Sequence, residues 1–315
     1  MILTLTPNPA LDLTYEVDQA RVHAEHRVRR VRSAPGGKGV NVARVLAQLG
    51  RPATCAGPLG GATGEQIRDL LRAHDGVRQA WTPIAGDSRR TVTVVAPDGA
   101  TGFHEPGPAL GPAEREALVA GLTALLSSAS PLVTAVTLSG SLPPGLSGED
   151  LAQLVGVCRR NDRPVLVDTS GPALLAAARS GADVLKPNAA EALEATGTHT
   201  PLEAALALLE IGAGAVVCSL GPEGMLGVRR DNGSAHGWRA RLAEPIAGNP
   251  TGAGDSVVAV LAATVLVDGA ELPEALRRAV AVSASAVTRP VAGEIDLQLA
   301  DELMPAVEIQ EIPCP

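Results

Sequence analysis

Lysine and aromatic residues are almost missing from this 315-residue sequence. Only Lys38 and Lys186 stand against 24 arginines, and Tyr15, Phe103, Trp81 and Trp238 are the whole aromatic set. So few rings leave no base-stacking platform for single-stranded nucleic acid, and the core has to be filled by Ala, Val and Leu. Positive charge is short as well: 26 Lys and Arg against 34 Asp and Glu give a net charge of −8. Nucleic-acid binders need the reverse, a basic face that displaces phosphate counterions. The four cysteines, Cys55, Cys158, Cys218 and Cys314, form no CxxC pair, which argues against a structural zinc site or a disulfide framework and for a reducing, cytoplasmic setting. The opening run Met1 to Thr6 has no basic n-region, and no segment reaches the roughly 18 apolar residues of a membrane span. Neither a membrane nor a nucleic acid is therefore an expected partner. What is present, 45% apolar and 19% charged residues, is the composition of a globular chain with a large core.

From the middle onward, β-rich runs alternate with helical patterns. Leu132 to Leu138 precedes a helix over Glu149 to Arg160, Pro164 to Asp168 precedes Pro172 to Ser180, and Ala182 to Leu185 and Ala215 to Leu220 follow. Such alternation predicts βαβ crossovers and a mostly parallel sheet with helices on both faces. The first third differs. After a strand at Ile2 to Thr6 come Leu13 to Val17, a polar stretch from Arg21 to Arg32, and a run Thr91 to Ala96 that turns at Pro97-Asp98-Gly99-Ala100 and returns through Thr101 to His104. These pieces could make a small sheet outside the main one, either a lid over a cleft or an edge extension. Asn232-Gly233-Ser234 matches a glycosylation sequon but reads as a turn.

The sharpest local signal is Gly248 to Ser256, with Gly252-Ala253-Gly254-Asp255 leading into the apolar run Val257 to Val267. Small residues let backbone N–H groups approach an anion, and a helix starting near Ala253 adds its positive end. An acid directly after such a loop opposes a bound anion. Asp255 makes sense as a base for a hydroxyl nucleophile while the loop neutralises phosphoryl oxygens; a plain glycine turn with Asp255 favouring the helix dipole is the alternative. Pro35 to Asn41 is a second cluster: its glycines expose donors, Lys38 offers a point charge and Asn41 can reach a sugar hydroxyl. Gly39 stands where a Walker A loop requires Ser or Thr, and a glycine-rich turn with a solvated lysine also fits. Lys186-Pro187-Asn188-Ala189-Ala190-Glu191 ends a predicted strand, where open α/β sheets bind ligands, although Asn188 and Glu191 also have capping-box spacing. Ser139 to Gly145 and Ser219 to Gly224 end two more strands. Several such loops point to one cleft more strongly than any one of them.

Taken in order, Thr6 to Asp12, Gly36 to Asn41, Arg90, Glu105 to Pro108, Ser139 to Gly145, Lys186 to Glu191, Ser219 to Gly221 and Gly252 to Asp255 resemble the ribokinase-like sugar kinases of the phosphofructokinase B family. The likeness lies with its branch of 1-phosphofructokinases and tagatose-6-phosphate kinases. It implies an α/β, ribokinase-like fold: one kinase domain over residues 1–315, with a β lid from about 12–33 and 89–106. It also implies that Asp255 is the catalytic base, that the amides of Gly252, Ala253 and Gly254 form an anion hole, and that Asp12, Gly37, Asn41 and Ser139 belong to the sugar site. Lys38 and Arg90 would grip the phosphate that the substrate already carries. Asn188 and Glu191 would organise Mg²⁺ through water, and Lys186, Ser219, Gly221 and Gly224 would border the nucleotide. The implied reaction is ATP-dependent phosphorylation of a ketohexose phosphate, above all D-fructose 1-phosphate to the 1,6-bisphosphate. Tagatose 6-phosphate and fructose 6-phosphate are alternative acceptors, and a NAD-dependent oxidoreductase is a distant alternative that lacks its GxGxxG turn. A monovalent cation and a homodimer through the lid are further implications. Two positions depart from the branch: Val92 stands where Asn is common, and Asn249-Pro250-Thr251 precedes the anion-hole glycine.

Overall fold

The computed structural model describes residues 1–129, 131–231 and 233–314; Asn232 of the sequon-like turn lies outside them. Two sheets are formed. The larger contains β1 (Ile2–Leu5), β4 (Ala53–Leu59), β5 (Val77–Pro83), β8 (Ala135–Ser139), β9 (Val165–Asp168), β10 (Val184–Leu185), β11 (Ala215–Ser219), β12 (Met225–Asp231), β13 (Ser234–Leu242) and β14 (Val307–Ile312). The smaller contains β2 (Ala10–Glu16), β3 (Arg30–Gly36), β6 (Arg89–Ala96) and β7 (Gly99–His104). Across the large sheet the order is β14-β13-β12-β11-β10-β9-β8-β1-β4-β5, parallel from β11 to β5 and antiparallel from β11 to β14.

Ten α-helices accompany the sheets among the described residues: α1 (Lys38–Gln48), α2 (Gly61–Leu71), α3 (Pro112–Ser127), α4 (Gly148–Arg160), α5 (Pro172–Arg179), α6 (Ala189–Thr196), α7 (Pro201–Ile211), α8 (Ala253–Leu261), α9 (Leu272–Val287) and α10 (Leu297–Leu303). They cover both faces of the large sheet. Successive strand residues point to opposite sides, so Leu166 joins a core with α1, α8 and α9, while Val165 and Val167 join a second core with α4, α5 and α7. Burial on both faces explains why these strands read as unbroken Val, Leu and Ala runs.

Three details differ from the sequence reading. The hairpin loop is only Pro97-Asp98, because Ala96 pairs with Gly99 and the returning strand starts there. Strand β3 runs to Gly36, past residue 33, so the first residues of the glycine cluster close a strand before α1 begins. Periodicity also does not reveal the antiparallel end of the large sheet, where β12 to β14 are partly exposed.

What positions the site is the reversal of strand order at β1, which pairs with β4 on one side and with β8 on the other. Open parallel sheets bind ligands at the carboxyl ends of strands beside such a switch point.

Candidate active site

Five neighbouring strands present polar side chains at or just beyond their carboxyl ends. In spatial order these are Ser219 of β11, Lys186 after β10, Asp168 of β9, Ser139 of β8 and Thr6 after β1. Four inter-strand spacings span about 19 Å, enough for a nucleotide and a sugar laid end to end along one strip. Thr6 Oγ1, Ser139 Oγ and Asp168 Oδ2 are buried without a hydrogen-bond partner among the described residues. Buried polar atoms in native proteins are almost always paired, so these three are available to a polar ligand on the strip.

The two lysines converge here. Lys38, first residue of α1, donates to Asp168 Oδ1 at 3.2 Å, and Lys186 Nζ lies 3.7 Å from the same oxygen. Lys186 and Asp168 are almost wholly buried, whereas Lys38 keeps part of its surface. Glu191 Oε1 stands 4.0 Å from Lys38 on the other side. Burial alone would lower the Lys38 ammonium, but Asp168, Glu191 and Asp255 together outweigh it and hold it above its ordinary value. Sequence reasoning missed Asp168. The available signal was positional: an acid ends a predicted parallel strand on the edge that also carries Ser139 and Lys186.

Asp255 occupies the first turn of α8. Its carboxylate is buried and accepts a hydrogen bond from Asn41 Nδ2 of α1 at 2.8 Å. Burial pushes its pKa up to about 7 and the charge of Asp168 adds to that, while Asn41, Lys38 and Lys186 pull the other way. A carboxylate poised near neutrality is suited to take a proton from an alcohol. Gly252 caps α8 at φ +85 without any side-chain cap, and the Ala253 amide donates to Pro250 O at 3.2 Å. No other residue fits there, since a Cβ would stand 2.8 Å from Ala292 Cα in a backbone conformation that disfavours side chains. Lys186 reaches this helix end too: a Cβ on Gly254 would lie 3.4 Å from its Nζ.

The remaining expected residues divide into two groups. Gly37 caps α1 at φ +98 beside Thr6 and Pro9. Asp12, on β2, accepts a hydrogen bond from Thr91 Oγ1, and burial raises its carboxyl above the usual range. On the nucleotide side, Ser219 bridges to Asn188, and Gly221 and Gly224 flank a short turn with positive φ. Arg90 is not brought to Lys38 by any contact among the described residues. Its exposed guanidinium pairs with Glu105 at 3.2 Å, and Glu105 also accepts from the Arg90 amide. Asn188 and Glu191 are engaged with each other: Asn188 Oδ1 accepts from the Glu191 amide at 2.8 Å, and Glu191 Oε2 from the Asn188 amide at 2.9 Å. That capping box leaves Glu191 Oε1 4.0 Å from Lys38 Nζ, and Asp168 Oδ2 has no hydrogen-bond partner among the described residues. No group of three or more His, Cys, Asp or Glu side chains among the described residues could hold a metal ion directly. Two carboxylate oxygens without a cage fit hydrated Mg²⁺ carried in on nucleotide phosphates.

A strip of polar strand ends beside a helix N-terminus, with a neutral-range carboxylate in its first turn, defines a phosphotransferase on a ribokinase-like α/β fold. The model of the pfkB family of carbohydrate kinases matches residues 6–298, and the chain belongs to that family. A 1-phosphofructokinase from Xanthomonas campestris pv. campestris is 38% identical over 293 residues, covering 89% of each protein. Among solved structures, phosphofructokinase-2 from Escherichia coli covers 96% of this chain and 98% of its own. Its potassium complex gives a TM-score of 0.86 at 29% identity and its tetrameric inhibited form 0.85 at 31%. Ribokinase from Arabidopsis thaliana with ribose and ATP shares the fold, with a TM-score of 0.71 at 20% identity, 96% of this chain and 98% of that one. Kinase membership sets aside the oxidoreductase alternative. No helix among the described residues is long and apolar enough to cross a membrane.

Proposed function

We propose that the chain transfers the γ-phosphoryl group of ATP to a ketohexose phosphate, with D-fructose 1-phosphate as preferred acceptor and D-fructose 1,6-bisphosphate as product. The observation that carries this reading is the placement of Asp255, held by Asn41 at 2.8 Å, beside Asp168 and the two lysines at the N-terminal end of α8. Asp255 takes the proton of the C6 hydroxyl as that oxygen bonds to the γ-phosphorus, and the bond from phosphorus to the β–γ bridging oxygen breaks to release ADP. The amides of Gly252 and Gly254 receive the charge on the transferred group, joined by that of Ala253 when it leaves Pro250 O. Lys38 and Lys186, both at this end of the cleft, act on the same charge; for Lys38 this replaces a grip on the phosphate the sugar already bears. Arg90 on the outer sheet remains for that phosphate, released from Glu105. Asp12, Gly37, Asn41 and Ser139 orient the sugar, and Ser219, Gly221 and Gly224 line the nucleotide end. Glu191 Oε1 and Asp168 Oδ2 would hold Mg²⁺ through water, and the ion would supply positive charge against the nucleotide phosphates.

The choice of sugar is supported by the Xanthomonas relative. Val92, in place of a polar residue, keeps tagatose 6-phosphate and fructose 6-phosphate in contention. We assign the outer sheet the role of lid. Exposed Val31 and Phe103 on its two edge strands support a dimer through it, which sedimentation velocity tests; a tetramer is the other outcome. A monovalent cation is retained on the strength of the potassium complex, with activity in K⁺ against Na⁺ as the check.

The deciding experiment is a coupled ADP-release assay over fructose 1-phosphate, fructose 6-phosphate, tagatose 6-phosphate and free hexoses. The highest kcat/KM is expected for fructose 1-phosphate. Asp255→Asn is expected to lose at least ~10² in kcat as a missing general base; near-normal turnover would remove Asp255 from the chemistry.

A further inference from the structure

Helix α1 carries a polar face that the apolar spacing of Val42, Val45, Leu46 and Leu49 leaves on its other side. Asn41, Arg44 and Gln48 follow one another at three- and four-residue steps, so they stack along one stripe of the helix. Asn41 holds the Asp255 carboxylate. Arg44 and Gln48 hold something else, the irregular segment between α9 and α10. Arg44 Nη1 donates to Ala292 O at 2.7 Å, and its other amino group stands 3.5 Å from Glu294. Gln48 Nε2 donates to Gly293 O at 2.8 Å, and its Oε1 accepts from the Ile295 amide at 3.1 Å.

That segment is the wall against which the anion hole is built. Ala292 is the residue that a side chain at Gly252 would strike, through both its Cα and its Cβ. The start of the glycine loop is tied nearby, because the Asn249 amide donates to Val287 O at the end of α9 at 2.8 Å.

We propose that Arg44 and Gln48 are positioning residues for phosphoryl transfer: they clamp residues 292–295 so that Gly252 and the first amides of α8 keep the geometry the transferred group requires. The inference rests on the kinase reading above and adds to it residues that touch neither sugar nor nucleotide. One helix then sets both halves of the catalytic end, the base through Asn41 and the anion hole through Arg44 and Gln48. The choice of residue supports this. A guanidinium that is 5% exposed is costly to bury and is retained only with good partners. Here its amino groups meet a backbone carbonyl and one carboxylate of the segment it holds, while its buried Nε has no partner among the described residues.

The test compares wild type with Arg44→Met, Arg44→Lys and Gln48→Glu, the last keeping the acceptor for Ile295 and losing the donor to Gly293. In Arg44→Met and Gln48→Glu, kcat is expected to fall between about 10-fold and 100-fold, the scale of a small misplacement of reacting groups, with KM for ATP and for sugar phosphate within about threefold. Arg44→Lys, which can still reach Ala292 O, regains part of the loss. Hydrogen exchange at the Asn249 and Ala253 amides is read on the same samples and is expected to quicken in both impaired variants. A lower melting temperature with kcat within about twofold of wild type and unchanged exchange would reduce the clamp to a purely structural tie and overturn the proposal. Should Arg44→Met not fold, Gln48→Glu decides by the same two readouts. Absence of phosphotransfer by wild type on every acceptor would defeat the kinase reading, and the exchange measurement would still judge the clamp.

Discussion

Ion pairs in the strand-end cleft and ion pairs on the outer sheet use the same residue types in opposite surroundings. Asp168 and Lys186 are 1% and 4% exposed, whereas Arg90 and Glu105 are 54% and 46% exposed and Arg29 and Asp18 more so. Exposed pairs gain little, because water and salt screen them and two long side chains lose freedom. Burial shifts protonation and lets charges shift one another further, as Asp255, raised first by burial and then by Asp168, shows. Charge in this molecule acts where it is desolvated, so the chemistry is expected at the strip of strand ends rather than among the more numerous surface pairs.

The largest effect is expected from Asp168→Asn. It removes the carboxylate shared by Lys38 and Lys186 without changing shape, and kcat is expected to drop about 10²-fold, the order of a lost electrostatic contributor. The pH profile gives a second, independent readout. Asp255 acts as base only when ionised, so wild-type kcat/KM is expected to fall as pH drops below about 7. Asp168 raises Asp255 by like-charge repulsion; without it the acid limb moves to lower pH. A limb that stays in place, measured from about pH 5.5 to 9, would mean that the two carboxylates do not interact.

Smaller effects are expected from changing the cations while keeping their charge. Lys186→Arg places a planar fork where the amine is packed within 3.4 Å of the position a Gly254 Cβ would take, and Lys38→Arg does the same at the start of α1. About a tenfold loss of kcat is expected for each, read in the coupled assay. Full activity in both would turn the scarcity of lysine into an accident of composition.

Much of this cleft is legible in the sequence because glycine, proline and polar residues interrupt apolar runs at every strand end. Gly252 to Asp255, Lys38, Asn41 and Lys186 stand out for that reason, and the parallel sheet follows from regular alternation. Asp168 is not legible, since a single acid after Val165 to Val167 has no motif, and its importance comes from two lysines that are distant in sequence. Arg44 is hidden among 24 arginines, and its partners, Ala292 and Glu294, lie about 250 residues away. The antiparallel strands β12 to β14 escape the pattern because their partly exposed faces mix Arg, Glu and Gly with apolar residues.

The mildest contrast between the two regions is thermodynamic. Asp255 titrates near 7 in the folded chain against an ordinary value of 3.8, so the folded state holds its proton more tightly than the unfolded state does. The stability linked to that proton is fully present below the unfolded value and is lost as pH rises through the folded one, at up to about 1.4 kcal/mol per pH unit. Asp255→Asn cannot ionise and escapes that loss. Its melting temperature is expected to exceed that of wild type by an increment that widens from about pH 4 to about pH 7 and then levels off. Asp18→Asn, which removes an exposed partner of Arg29, is expected to leave the melting temperature within about 1 °C at every pH, in keeping with a surface pair. Scanning calorimetry on the two variants reads both. Equal shifts would show that desolvation does not separate the regions; a gain confined to Asp255→Asn would show that the cleft keeps its base ionised at neutral pH at the expense of fold stability.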